Sequence, residues 1–309
     1  MKKVLVVSVL VSAMLTSCNK DTEIEYRDVV VHDTVIVKQT DTVMVDEADI
    51  VKKIDPSTVS VTEEGGNLKL KVGNAEIEMI FVEGGTFAMG ATEGQETDFF
   101  TWEKPVHNVT LDDYYIGKTE VTQGLWEAIM GYNPSYYKER GASFPVEMVS
   151  WESVQTFVEK LNEATGKKFH LPTEAQWEYA ARGGKNSADK KYAGVSETTE
   201  LINYAWHWTN SGEGLADTDS QYGTHGVATK SPNELGIYDM SGNVWEWIQD
   251  WYDAYSVDDA TNPTGPDTGS RRVVRGGSWL LAAKGCRVTH RTYYGVSYKG
   301  NDLGFRLAL

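Results

Sequence analysis

Beyond Gly184 the chain abandons hydrophobic periodicity for long stretches while it continues to supply large rings. Residues 210–220 and 258–270 are rich in Gly, Pro, Asp and Thr, a composition of ordered turns rather than of helices or ladders. Trp206, Trp208, Trp245, Trp247, Trp251 and Trp279 fall in the same part of the sequence. The 309 residues hold 10 Trp and 16 Tyr against 29 Gly. Such a chain cannot bury its apolar surface on amphipathic stripes alone. Irregular segments must wrap around the rings, with glycine making the turns that other residues resist.

Upstream of Gly184 the patterns are regular. Ile77, Met79 and Phe81 alternate with Glu76, Glu78 and Ile80, which predicts a half-buried strand. Gly84-Gly85 then turns the chain into Thr86-Phe87-Ala88-Met89-Gly90. Three short helices follow. Thr122 can cap a segment carrying Leu125, Trp126, Ile129 and Met130, with Gly131 as its stop. Ser150 precedes Val154, Phe157, Val158 and Leu161 at helical spacing, ending by Gly166. Thr173-Glu174-Ala175-Gln176 is a capping box, Pro172 bars helix before it, and Gly183-Gly184 ends it. Short strands are expected at Arg272–Arg275, Cys286–Thr289 and Phe305–Ala308.

The N-terminus reads as an export signal. Lys2 and Lys3 precede an apolar stretch, residues 4–15, that is too short to span a bilayer. It ends in Leu15-Thr16-Ser17-Cys18, which is similar to a bacterial lipobox. The expectation is a lipoprotein signal peptide over residues 1–17, with an acylated Cys18 tethering the protein to the lipid membrane. Each buried methylene of such a chain contributes about 0.8 kcal/mol. The location implied is the bacterial cell envelope, at the outer membrane. Residues 18–66 read as a tether or stalk, with Asp33–Val37 and Asp41–Val45 as a partial repeat, and the globular domain is expected over 67–309. The net charge of −16 argues against a nucleic-acid partner, which calls for clustered Lys and Arg. With Cys18 acylated, Cys286 is the only remaining thiol, so no intrachain disulfide is possible.

Four strings carry a resemblance: Leu171-Pro172-Thr173-Glu174-Ala175-Gln176-Trp177-Glu178, Gly242-Asn243-Val244-Trp245-Glu246-Trp247, Arg275-Gly276-Gly277-Ser278-Trp279 and Leu303-Gly304-Phe305-Arg306. Together they resemble the formylglycine-generating enzyme (sulfatase-modifying factor) family, over roughly residues 75–309. The resemblance implies an α+β fold related to C-type lectins, loop-rich, with short helices and short antiparallel strands. It also implies calcium, held by the Asp239 and Glu246 carboxylates and the Gly242 and Val244 carbonyls. Calcium takes about 6–8 hard oxygen ligands, which a tight turn can aim at one point. The alternative is that these acids pair with arginine or face solvent while Trp245 and Trp247 fill the core. A second family calcium site would begin at Asn203 and Tyr204, its acidic partner left open among Glu213, Asp217 and Asp219.

The family's copper-dependent oxidases, which act on Cys-x-Pro-x-Arg peptides, hold Cu(I) on two thiolates, soft ligands that the ion prefers. Those cysteines stand three and eight residues after the Ser of Gly-Gly-Ser. Counted from Ser278, the positions are Leu281 and Cys286. One thiolate cannot make that site, so copper is not expected, and Cys286 reads as a buried small hydrophobe. Ser278 and Cys286 are nonetheless the residues a remaining catalytic site would use. Gly285 replaces an aromatic residue common in the family, and Asp302 stands where Asn is frequent. The six histidines show no clustering that would hold iron. By position, Trp245, Arg287, Arg291 and Asp302 would line a ligand cleft. The function expected is a membrane-anchored binding or scaffold module with a protein or peptide partner. The alternative is an oxidoreductase that modifies a sulfatase or another protein.

Overall fold

All three helices start on the side chains that the sequence singled out. In α1 (Gln123–Met130) the Thr122 hydroxyl accepts the Leu125 N–H at 3.2 Å, and Gly131 closes the helix in the left-handed region. In α2 (Trp151–Thr165) Ser150 accepts from the Ser153 N–H, and Gly166 ends it. In α3 (Glu174–Ala181) Thr173 and Gln176 form the reciprocal box, at 3.2 and 2.9 Å. A one-turn helix, α4 (Trp208–Ser211), has no counterpart in the periodicity.

These elements belong to a computed structural model that describes residues 29–31, 35–37, 54, 56–95 and 100–309. The chain divides into two units, 1–53 and 54–309. In the first, β1 (Val29–Val31) pairs antiparallel with β2 (Val35–Val37). The stretch expected to be a signal peptide, Cys18 and the Asp41–Val45 half of the partial repeat lie outside the described residues.

Among the described residues the second unit holds three sheets. β3 (Val59–Glu64), β4 (Asn67–Val72), β5 (Ala75–Val82) and β8 (Tyr114–Gly117) form an antiparallel meander in the order β3-β4-β5-β8. Its first strand lies upstream of residue 67, where the domain was expected to begin. β6 (Gly85–Met89) pairs with β7 (His107–Leu111), which pairs in parallel with β10 (Ala260–Thr261). β9 (Trp245–Trp251), β11 (Arg272–Arg275), β12 (Arg291–Tyr294) and β13 (Leu303–Gly304) complete the third sheet, in the order β12-β11-β9-β13.

Two expected strands are corrected. Residues 283–286 form a 3-10 turn, and the C-terminal strand is Leu303–Gly304 rather than Phe305–Ala308. The reason is where the backbone bonds go. The Gly117 N–H donates to the Leu307 carbonyl, Tyr115 and Leu309 exchange both bonds, Ala308 exchanges bonds with His170, and the Val121 N–H donates to the Phe305 carbonyl. This segment therefore lies as isolated antiparallel bridges between β8 and His170 and not as a regular strand.

Among the described residues two large apolar clusters, and a small third around Tyr192 and Leu201, fill the unit. In the first, Trp126 stacks on Phe157 at 5.3 Å with Phe305 edge-on to both. In the second, Trp177, Ile248 and Val273 pack beneath β6 and β7. Buried guanidinium–carboxylate pairs join the unit's elements, among them Arg182–Glu178, Arg275–Glu178, Arg287–Glu103, Arg291–Glu174 and Arg306–Glu246. Desolvation consumes much of the attraction in such pairs, but removing one partner strands a buried charge at a cost of about 3–5 kcal/mol.

Candidate functional site

The turn before β9 is built on three residues in the left-handed region, Asp239, Gly242 and Asn243, with φ of 59°, 86° and 59°. At Gly242 only hydrogen fits, because a Cβ would run into the Trp206 carbonyl. Two anchors hold the turn. Glu246, on β9, takes Arg306 Nε and Nη2 at 2.7 Å each and the Trp177 indole N–H at 2.7 Å. Glu120, before α1, accepts the Asn243 amide at 2.7 Å and the Val244 N–H at 3.0 Å.

Asp239 is different. It is 3% exposed, its Oδ2 accepts the Ala228 N–H at 2.8 Å, and its buried Oδ1 has no hydrogen-bond partner. The turn therefore gathers three buried carboxylates around one guanidinium. Burial is the main force on Asp239 and Glu120. It pushes Asp239 up to about 6 against the pull of Arg306, and it holds Glu120 well above the ordinary range, with the charges of Asp239 and Glu246 adding to the effect. The donor chemistry fits a hard divalent cation: an orphaned carboxylate oxygen, surplus negative charge and the carbonyls of the same turn. No group of three or more His, Cys, Asp or Glu side chains takes up metal-ligating geometry among the described residues. Of the expected carboxylate ligands only Asp239 keeps a bare oxygen, because Arg306 and Trp177 take both oxygens of Glu246. A cation at this turn would therefore lean on Asp239 together with the Gly242 and Val244 carbonyls. Glu120 was not foreseen; its only sequence signal is an acid two residues before a helix cap.

The segment after the Gly-Gly-Ser string is closed. Cys286 is fully buried, and burial pushes its thiol up to about 12. Its Sγ lies 3.9 Å from the Ser278 carbonyl, and a Cβ on Gly277 would stand 2.9 Å from it. Leu281 packs against the first core cluster, and a Cβ on Gly285 would meet Leu281 Cδ1 at 2.6 Å. Leucine at 281 and glycine at 285 therefore fit each other: the leucine takes the space that a side chain at 285 would need. Ser278 is buried and donates to Asp302 Oδ2 at 2.8 Å, and burial raises the Asp302 carboxyl.

Of the four residues expected to line one cleft, Trp245 and Asp302 are neighbours, the Trp245 N–H donating to the Asp302 carbonyl at 2.7 Å, but three of the four side chains are buried. Trp245 is buried against His290. Arg287 is buried and bidentate on Glu103, and Arg291 is bidentate on Glu174 at 2.6 and 2.7 Å. Their guanidinium groups hold the fold together instead of facing a ligand, a long-range pairing that no local pattern reveals. Only Asp302 remains partly open. Asn203 and Tyr204 end a 3-10 turn in which the Asn203 carbonyl accepts the Ser231 N–H at 2.9 Å. Among the described residues no hydrogen bond or ion pair joins either one to Glu213, Asp217 or Asp219.

Fold and site together define a loop-rich α+β domain, braced by buried arginine–carboxylate pairs around a tryptophan-bearing turn and enclosing a single thiol. Residues 69–309 match the sulfatase-modifying factor enzyme 1-like domain, and the chain belongs to that formylglycine-generating-enzyme family. It is 31% identical over 278 residues to the chaperone protein LppX of Paenibacillus barcinonensis, which covers 76% of this chain and 91% of that one. It is 29% identical over 312 residues to the formylglycine-generating enzyme of Streptomyces coelicolor, covering 82% and 95%. Among solved structures, Treponema denticola variable protein 1 superposes with a TM-score of 0.67 at 32% identity, covering 81% of this chain and 98% of that one. The family's fold thus serves a relative named as an enzyme and another named as a chaperone.

Proposed function

We propose that this chain is a binding module on the formylglycine-generating-enzyme fold, tethered to the bacterial envelope through acylated Cys18 and without copper-dependent cysteine oxidation. One observation carries the reading. Leu281 stands where the family's first thiolate would be, and its side chain fits against Gly285 while Cys286 lies sealed under Gly277. A thiol pushed up to about 12 offers almost no thiolate at neutral pH, and a single sulfur cannot make the linear two-sulfur site that Cu(I) favours. The partner in this reading is a protein or peptide.

Calcium belongs to the same reading as a structural ion. When bound at the Asp239 turn it would supply positive charge to a buried carboxylate surplus. Glu120 and Arg306 fix the turn from either side.

The second reading, an oxidoreductase acting on a protein, rests on the Ser278–Asp302 hydrogen bond and on the likeness to the Streptomyces enzyme. Titration with Cu(I) under anaerobic conditions separates the two. The binding reading expects no stoichiometric uptake by the native chain. Uptake of one equivalent that is lost in Cys286→Ala would overturn it.

A further inference from the structure

A cavity of about 310 Å³ lies between the end of β9, the start of α3 and the loop 253–266. Neither the Asp239 turn nor the Ser278–Cys286 segment lines it. Its floor is Asp250, only 5% exposed. Asp250 Oδ2 accepts the Glu174 N–H at 3.0 Å, whereas Oδ1 takes part in no hydrogen bond or ion pair among the described residues. Gly265 keeps the space over that oxygen free: a Cβ there would stand 3.1 Å from Oδ1.

The neighbouring cations are already engaged. Arg291 is held by Glu174, donates to the Asp253 carbonyl at 2.8 Å, and lies over the rings of Tyr252 and Tyr255 at 4.6 and 4.0 Å. Arg272 is clamped between Trp151 and Trp251, its Cζ 3.9 and 3.4 Å from the two ring centres, and donates to the Gln249 carbonyl. Burial, reinforced by the charge of Glu174, pushes the Asp250 carboxyl up to about 7, and Arg291 and Arg272 offset this only in part. On the rim Asp253 and Asp258 add negative charge, and His107, Glu174, Tyr255 and Arg291 are the other titratable side chains in the lining. Trp251, Tyr255 and Pro266 make the walls apolar. A buried carboxylate with one bare oxygen, walled by rings and rimmed by acids, is a receptor for a positive head on an apolar stem.

We propose that this cavity binds an organic cation, an alkylammonium or alkylguanidinium group such as the end of a lysine or arginine side chain. The head pairs with Asp250 Oδ1 and the stem lies against Trp251 and Tyr255. The site stands independently of Cys286 and of the Asp239 turn.

The test is calorimetric titration of the full chain with n-butylguanidinium and n-butylammonium, with n-butanol as the neutral control. Both cations are expected to bind at least about tenfold more tightly than butanol at about pH 8, and to weaken by about pH 6 as Asp250 protonates. Asp250→Asn keeps an acceptor for the Glu174 N–H and should lower cation affinity by about tenfold or more. If that variant does not fold, Asp258→Asn on the exposed rim decides, with an expected loss of about twofold to threefold for cations alone. An arginine tripeptide that binds more tightly than butylguanidinium assigns the site to a polypeptide, and the reverse order assigns it to free amines. Equal affinity for butanol and the cations, no saturable binding, or cation affinity unchanged in the deciding variant overturns the proposal.

Discussion

The Arg306–Glu246 region and the Ser278–Cys286 region lie on neighbouring strings of the sequence and are opposite in kind. Around Glu246 all is engagement: both carboxylate oxygens take donors, and Arg306 also reaches the Gly117 and Tyr238 carbonyls at 2.8 and 3.0 Å. Around Cys286 the thiol is sealed, and Leu281 and Gly285 fill the space against each other. The frame and the chemistry are therefore separable. A chain can hold the ion pairs that build this fold while the segment that would carry a redox metal is packed as core.

The sharpest way to break this contrast is at the frame. Arg306→Met would leave Glu246 buried without its cation, and about 3–5 kcal/mol of stability should be lost, read from the urea midpoint. A loss near zero would mean that the pair does not brace the turn. A smaller effect is expected from calcium at the same turn. At about 100 times its Kd, calcium should add about 2.7 kcal/mol, a rise on the order of 5–10 °C in Tm that chelator reverses and Asp239→Ala abolishes.

Asp250 gives a pH signature of comparable size. Its carboxyl is raised from the usual carboxylate range to about 7 in the folded chain. The folded state then binds the proton more tightly than the unfolded state. The stabilisation is present in full at low pH and is lost as pH rises through about 7. Relative to Asp250→Asn, the native chain should lose about 2–4 kcal/mol between about pH 4 and pH 8, and parallel stability curves would contradict the assignment.

The smallest stability change, about 1 kcal/mol, is expected for Leu281→Cys, which trims a partly buried side chain. That variant should nonetheless acquire Cu(I) retention that the native chain lacks, because it restores the second sulfur. Such a gain would sharpen the contrast, since the frame would be seen to accept the metal once the missing ligand is supplied.

Much of the frame could be read in the sequence. Thr122, Ser150 and Thr173 marked helix starts because capping is local chemistry, and β5 announced itself by alternation. The arginine pairs could not be read. Arg287 finds Glu103 across 184 residues and Arg291 finds Glu174 across 117, so both had seemed ligand-facing. The strand expected at Cys286–Thr289 failed for a related reason, since its side chains serve long-range contacts and not a ladder. Asp239 was singled out, but Glu120, which holds the same turn from 124 residues away through the Val244 N–H, was not. Asp250 and its cavity carried no sequence signal, because the loop that covers it is Gly- and Pro-rich and without period.

The most direct measurement is turnover of a Cys-x-Pro-x-Arg peptide by the full chain with Cu(I) and oxygen, read by mass spectrometry. The account predicts no conversion of cysteine to the aldehyde by the native protein. Conversion by the native protein, abolished in Cys286→Ala, would contradict it and make the closed segment an active site.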